Sequence, residues 1–359
     1  LYDYPDLLSV WAAGNDRDDA YTGLSLEDNY VTYFSADPGG IGWTEEGWYL
    51  VSATSFPPPA GDGNSGTGYD SIAPGTNAKN SLVVGAVGDV NADPYTSGDI
   101  LTAGFSSYGP TDDGRVKPDV VAPGTWILSA YSGMYQEGYG DPLNPANDLY
   151  QWDGWGMPAS ETYKYMGGTS MSNPLVAGGA TVVRDYFYKA YGHNASAALV
   201  KATLINSADD MLDENNDGAD DNDYPIPNVH EGWGRVNLVT ATSGNAQFED
   251  EATGVGTGGT DSYAYGVASA GQPFKVSLVW SDYPSTESAS TNLVNNLNLK
   301  VTAPGGAVYW GNDFSNGWSF SGGSAEAVNN VENVYVQAPT VGTWTVEVLA
   351  QNVPQGPQP

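Results

Sequence analysis

The sequence predicts an α/β domain, a parallel sheet with flanking helices, followed by an antiparallel β-sandwich. Three observations carry this. Short unbroken apolar runs, Leu7 to Ala13 (LLSVWAA) and Ser81 to Val87 (SLVVGAV), read as strands covered on both faces, as strands of parallel sheets are. Longer runs in the same half, Met171 to Tyr191 and Ser196 to Ser207, carry apolar residues at helical spacing. Beyond about Ser243 the period changes to two: Phe274, Val276, Leu278 and Trp280 alternate with Lys275, Ser277, Val279 and Ser281, and Leu297 to Thr302 and Thr343 to Val348 repeat the pattern.

The chain's 359 residues suffice for one large domain with a full core and a smaller one. Residues 1–243 are assigned to the first and 244–359 to the second, because from about Ser243 to Ala270 the sequence is rich in Gly, Ser and Thr. The net charge of -32 comes from 43 acidic against 11 basic residues, so what is missing is basic residues. Such a surface repels nucleic acid and anionic lipid and attracts divalent cations. It also argues against the Lys/Glu ion-pair networks of many hyperthermophilic proteins. No run of eighteen apolar residues exists to span a membrane. The absence of cysteine excludes a disulfide framework and thiolate metal sites and leaves the redox compartment open. Abundant Gly, Asn, Ser, Tyr and Trp with little Lys points to an extracellular protein. Leu1-Tyr-Asp-Tyr-Pro lacks the basic start and apolar core of a signal peptide, which suggests a processed or truncated chain.

In chain order, Leu7 to Ala13 ends in Gly14-Asn15, which places a loop at the C-terminal edge of a strand, where open α/β sheets hold their sites. Taken alone, Gly-Asn is simply a turn. Asp16 to Tyr69 is a long segment rich in Asp, Gly and aromatics, read as a small satellite core with a lid or subsite wall as the alternative. Gly133 to Tyr165 is a second aromatic insertion. It returns directly to Met166–Gly179, MGGTSMSNPLVAGG, where two glycines permit a sharp turn and Thr169-Ser170 stand at the start of the long helix. An ordinary N-cap is the plainer reading of a hydroxyl there. The sharper one is that unpaired N–H groups and the helix dipole favour an oxyanion beside an attacking serine. Ser196 is read as the N-cap of the next helix.

The stretch Gly168-Thr-Ser-Met-Ser-Asn-Pro174 followed by Val176-Ala-Gly resembles the nucleophile motif of the subtilisin-like serine proteases. Leu175 replaces the histidine frequent there, but it lies past the serine along the helix. Ala12-Ala-Gly-Asn15, Phe105-Ser-Ser-Tyr-Gly-Pro110 and Arg115-Val-Lys-Pro-Asp-Val-Val-Ala-Pro-Gly124 resemble core loops of the same family, and His230-Glu-Gly-Trp-Gly-Arg-Val-Asn237 the strand near the end of its protease domain. Leu278-Val-Trp-Ser-Asp282, Gly311-Asn-Asp-Phe314 and Asn330-Val-Glu-Asn333 resemble the C-terminal jelly-roll domain of an alkaline bacterial branch. The resemblance implies a secreted serine endopeptidase acting on protein or peptide. Ser170 would be the nucleophile. The Asn15 amide and the Ser170 N–H would form the oxyanion hole, with the Thr169 hydroxyl a minor contributor, and Ser71-Ile-Ala-Pro-Gly75 would shape the primary specificity pocket.

The family's base is not in view. Only His193 and His230 exist, and neither stands in a His-Gly-Thr context. His193 is 23 positions beyond Ser170 along one predicted helix, about 34 Å of axial rise. His230 reads as a strand-end residue. In subtilisins the order is Asp, His, Ser, so both partners are expected upstream of Leu1, on an N-terminal fragment of the same protease that would also cover the first strand. A catalytically inactive extracellular relative acting through its sandwich is the other reading.

One more motif stands apart. In Asp213 to Asp223, Asp213, Asn215 and Asp217, with Gly218 for the bend, reproduce the first half of an EF-hand-type loop, but Tyr224 replaces the closing glutamate. The loop reads as a structural Ca2+ site completed by Asp221 or Asp223, or as a solvated acidic loop.

Overall fold

The computed structural model describes residues 1–17, 29–36, 43–51, 71–88, 90, 96–130, 157–159, 162–215, 221–286 and 289–359. In chain order the first half gives β1 (Val10–Ala12), a hairpin of β2 (Asn29–Ala36) and β3 (Trp43–Val51), β4 (Leu82–Val87) and β5 (Val120–Pro123). β1, β4 and β5 make a parallel sheet in the order β1-β4-β5, with Val10 opposite Leu82 and Val84 opposite Val120. β4 is buried along its whole length, which is why its sequence shows no alternation.

The first strand is expected to bury both faces only when segments upstream of Leu1 cover it. Among the described residues no strand pairs with the outer side of β1, and Trp11 is 47% exposed.

Three short antiparallel strands follow in the order β6-β8-β7: β6 (Ile127–Ala130), β7 (Met157–Pro158) and β8 (Tyr163–Met166). The chain then enters α1 (Thr169–Tyr191), α2 (Ala197–Asn206) and the short α3 (Leu238–Ala241). α1 ends where Gly192 takes φ 66° and caps the carbonyls of Phe187 and Tyr188, as a left-handed C-terminal residue does. The expected N-cap of α2 is present: the Ser196 side chain accepts from the Leu199 N–H. Val176, Val183 and Phe187 of α1 and Leu199, Val200, Leu204 and Ile205 of α2 pack with Leu82, Val84, Val120 and Ala122 on one face of the sheet. The opposite face, through Val83, Val87 and Val121, is covered by loop residues Ile72, Ile100 and Met211.

The second half is antiparallel and β-rich. Its strands are β9 (Thr260–Val267), β10 (Phe274–Val279), β11 (Asn296–Thr302), β12 (Val308–Trp310), β13 (Phe314–Ser315), β14 (Trp318–Ser319), β15 (Val331–Val336) and β16 (Gly342–Asn352). One sheet has the order β12-β11-β16-β9, and β10 pairs with β15 in another. Leu299, Val301, Trp344 and Val346 of the first meet Val334, Val336, Phe274 and Val276 of the second, so alternate residues fill a common core. The Gly- and Ser-rich stretch 243–270, read as a domain boundary, contains β9. There Asp261, Tyr263, Tyr265 and Val267 are half-buried between exposed neighbours, a period of two that the composition conceals.

The two halves share one core. Val331, Tyr335, Phe314 and Trp318 pack with Trp233 and the α1/α2 cluster, and the rings of Trp233 and Tyr335 lie 5.9 Å apart. The aromatic packing expected for 16–69 and 133–165 lies largely outside the described residues.

Candidate active site

Ser170 stands in the first turn of α1, with its side chain exposed, while Thr169 beside it is completely buried. The helix begins at Thr169, two residues before the expected start at Met171, and so includes both hydroxyl residues. Gly168 is the N-cap, at φ 142° and ψ 158°, and offers no side chain of its own to cap the helix. A Cβ at Gly168 would stand 3.6 Å from both amide atoms of Asn15 and 3.6 Å from Met171 Sδ, so these three residues converge on one spot before the helix. The helix N-terminus, with no capping side chain on its own N-cap residue, is electropositive there.

Asn15 reaches this spot from the C-terminal end of β1. Gly14 takes φ 118°, and a Cβ there would approach Ser107 Oγ to 2.7 Å, so only glycine brings the chain this close. Asn15 Oδ1 accepts from the Thr169 N–H at 2.8 Å and from the Thr169 hydroxyl at 3.0 Å. The same hydroxyl accepts from the Gly14 N–H at 3.2 Å. The carbonyl end of the Asn15 amide is therefore fixed, and its Nδ2 end is the one left to donate. Thr169 was expected to add a donor to the oxyanion hole, but its proton is committed to Asn15. It acts by orienting that amide. The opposite edge of the sheet is tied in as well: the Gly168 N–H donates to the Gly124 carbonyl at 2.7 Å.

Neither histidine approaches the nucleophile. His193 follows the last turn of α1 and pairs through Nε2 with Asp250 at 2.7 Å. His230 is 1% exposed, with the rings of Tyr108 and Tyr224 at 4.3 and 4.6 Å. Burial, aided by the positive charge of Arg17, pulls its imidazole down to about 4, so it is neutral at neutral pH. It is a core residue rather than the expected strand-end residue.

The acidic loop is only partly in view. Asp213 is buried, Asn215 half-buried, and Asp221 and Asp223 are exposed surface residues of the same loop, whereas Asp217 lies outside the described residues. Among the described residues no group of three His, Asp or Glu side chains is placed to hold a metal ion. Beneath the loop lies a carboxyl cluster that the sequence reading missed. Burial, with Asp210 close by, holds Glu231 well above the usual carboxylate range, and burial raises Asp210 and Glu214 too. Glu231 joins Asp210 and Glu214 from a segment further along the chain, so no local spacing announces the cluster.

An exposed serine in the first turn of a helix, beside an amide whose carbonyl end is already engaged, is an arrangement that suits the nucleophile side of a serine hydrolase built on an α/β sheet. Residues 5–234 match Peptidase_S8, the Subtilase family, and the chain belongs to that family. It is 28% identical over 309 residues to the serine protease/ABC transporter B family protein tagD of Dictyostelium discoideum, covering 71% of this chain and 16% of that protein. It is 33% identical over 183 residues to the serine protease AprX of Bacillus subtilis (strain 168), covering 51% of this chain and 34% of that protein. The chain thus spans well under two thirds of these relatives. Among solved structures, the patellamide maturation protease PatA matches 49% of this chain and 47% of its own at 21% identity and a TM-score of 0.31. Sphericase matches 49% and 46% at 19% identity and a TM-score of 0.31.

No helix among the described residues is long and apolar enough to cross a membrane.

Proposed function

We propose that this chain is the nucleophile-bearing part of a secreted serine endopeptidase. The observation that carries the reading is the lock between Thr169 and Asn15 beside an exposed Ser170. Ser170 Oγ attacks the scissile carbonyl carbon while its proton passes to a histidine. The carbonyl oxygen becomes an oxyanion held by Asn15 Nδ2 and the Ser170 N–H. Collapse breaks the C–N bond, and the histidine returns the proton to the leaving amine. Water, deprotonated by the same histidine, then releases the acyl group and restores the serine.

The histidine and its orienting aspartate come from an N-terminal fragment of the same protease. The outer edge of β1 and the exposed Leu7, Trp11, Leu175 and Val182 are the surface against which it packs. A fluorophosphonate should label Ser170 in the native particle, denaturing electrophoresis should show a second band, and separating the fragments should abolish labelling. Labelling that persists at ordinary protease rates in the pure chain beginning at Leu1 would refute the upstream placement of the base. An intact particle that never labels would favour the inactive relative.

Ca2+ held by Asp213, Asn215, Asp217, Asp221 and Asp223 belongs to this proposal, since carboxylates packed so closely repel one another without a cation. Chelation should lower the melting temperature, and Asp217→Ala should blunt the response. An unmoved melting curve would leave only a charged loop.

A further inference from the structure

We propose that the exposed face of the β6–β8 ribbon is a shelf that binds apolar side chains of the substrate on the leaving-group side of the scissile bond. The inference rests on the reading of Ser170 as a peptidase nucleophile and specifies what that site selects.

The register pairs Leu128 with Tyr165 and Ala130 with Tyr163, which puts these four side chains on one face. Trp126, two residues before Leu128, joins them, its ring 6.3 Å from that of Tyr165. Trp126, Leu128, Tyr163 and Tyr165 are 52%, 50%, 50% and 37% exposed. Lys164, on the other face, is buried. The large apolar groups thus point to solvent and the cation inward, the reverse of what a ribbon covering a core requires.

Trp126 also has φ 52°, a conformation a bulky residue adopts only when its surroundings enforce it, and such residues gather at binding sites. Both strands lead to the nucleophile. β8 runs through Gly167 and Gly168 into Thr169-Ser170, and β6 starts three residues after Gly124, whose carbonyl holds the Gly168 N–H. The nucleophile loop therefore bridges two walls. On the β1 side stand Asn15 and the Ser71–Gly75 segment, with the Ala73 N–H on the Ala13 carbonyl; that segment resembles the wall of the primary pocket, which takes the acyl side. The shelf is on the β5 side, where the chain beyond the scissile bond leaves.

The test uses the native protease with two substrate types sharing one sequence up to the scissile bond. One is a p-nitroanilide, with no chain beyond it. The other is a set of quenched peptides carrying Leu, Phe, Ser or Gly at the second and third positions beyond. Wild type should favour the apolar peptides about tenfold in kcat/KM. Trp126→Gly, which removes the ring and relaxes the backbone, should erase that preference, keep the anilide rate and leave the melting temperature no lower. Tyr165→Ala should reduce the preference. A wild type that cleaves the anilide without the preference, or variants that retain it, would overturn the shelf alone. Variants that slow both substrates equally would overturn it too, and a wild type that cleaves neither would overturn the peptidase reading together with the shelf.

Discussion

At the residue scale, the site depends on which end of one amide faces the substrate. Asn15 is symmetric enough in shape to sit either way round, and the Thr169 N–H and hydroxyl select the orientation by both donating to Oδ1. Asn15→Leu should lower kcat about 10²- to 10³-fold with little change in KM, because the lost bond strengthens only as the oxyanion forms. Thr169→Val should cost less, by loosening the amide without deleting it. If Asn15→Leu raised KM and spared kcat, the amide would be binding ground-state substrate instead. Ser170 and Asn15 could be proposed from the sequence because each sits in a local motif. The role of Thr169 was not, because its hydroxyl has two partners 154 and 155 positions away.

At the scale of elements, the loop from Asp282 to Asn295 is held to the α/β half by Lys79. Its ammonium donates to the Asp282 carboxylate, to the Tyr283 carbonyl and to the Asn292 carbonyl. Asp282 is fully buried and also accepts from the N–H groups of Val294 and Asn295. Asn80 closes the contact, donating to the Asp282 carbonyl and accepting from its N–H. Removing one member of a buried pair strands the other, so Lys79→Met should destabilise by about 3–5 kcal/mol, and adding Asp282→Asn should recover part of the loss. Additive effects in that cycle, read by denaturant melts, would deny the coupling.

For the whole molecule, what matters is where so few basic groups are placed. Of the 11 basic residues, Lys79, Arg115, Lys117, Lys164 and Lys201 are buried. Asp119, Asp213, Glu214, Glu231, Asp282 and Glu332 are buried as well, so the surface carries nearly all of the net charge of -32 with few basic groups to offset it. Self-repulsion of that surface is screened by salt, so the melting temperature should rise between about 0.05 and 1 M NaCl; a flat curve would show that the acidic groups lie too far apart to matter. Burial, partly offset by Asp119, brings Lys117 down to about 7 from its ordinary 10.5. Between those values the unfolded chain binds more protons than the folded one, so this group makes stability rise with pH from about 7 to about 10.5. Lys117→Met should lose that rise, measured as the difference from wild type across the window.

The sequence by itself determined what local pattern can determine: the apolar runs of the parallel strands, the helical spacing of α1 and α2, the alternation of β10, β11 and β16, and the motifs holding Ser170 and Asn15. Each is a property of a few neighbouring residues, and physical periodicity or turn chemistry writes it directly into the chain. Tertiary structure decided the rest. It drew β9 out of a Gly- and Ser-rich stretch, fused the two halves through Tyr335 and Trp233, and buried five cations, among them Lys79 beside Asp282 and Lys201 beside Asp119, carboxylates distant in sequence. Burial and electrostatic pairing depend on which segments meet, and a lysine destined for the interior has no neighbours in sequence that distinguish it from one at the surface.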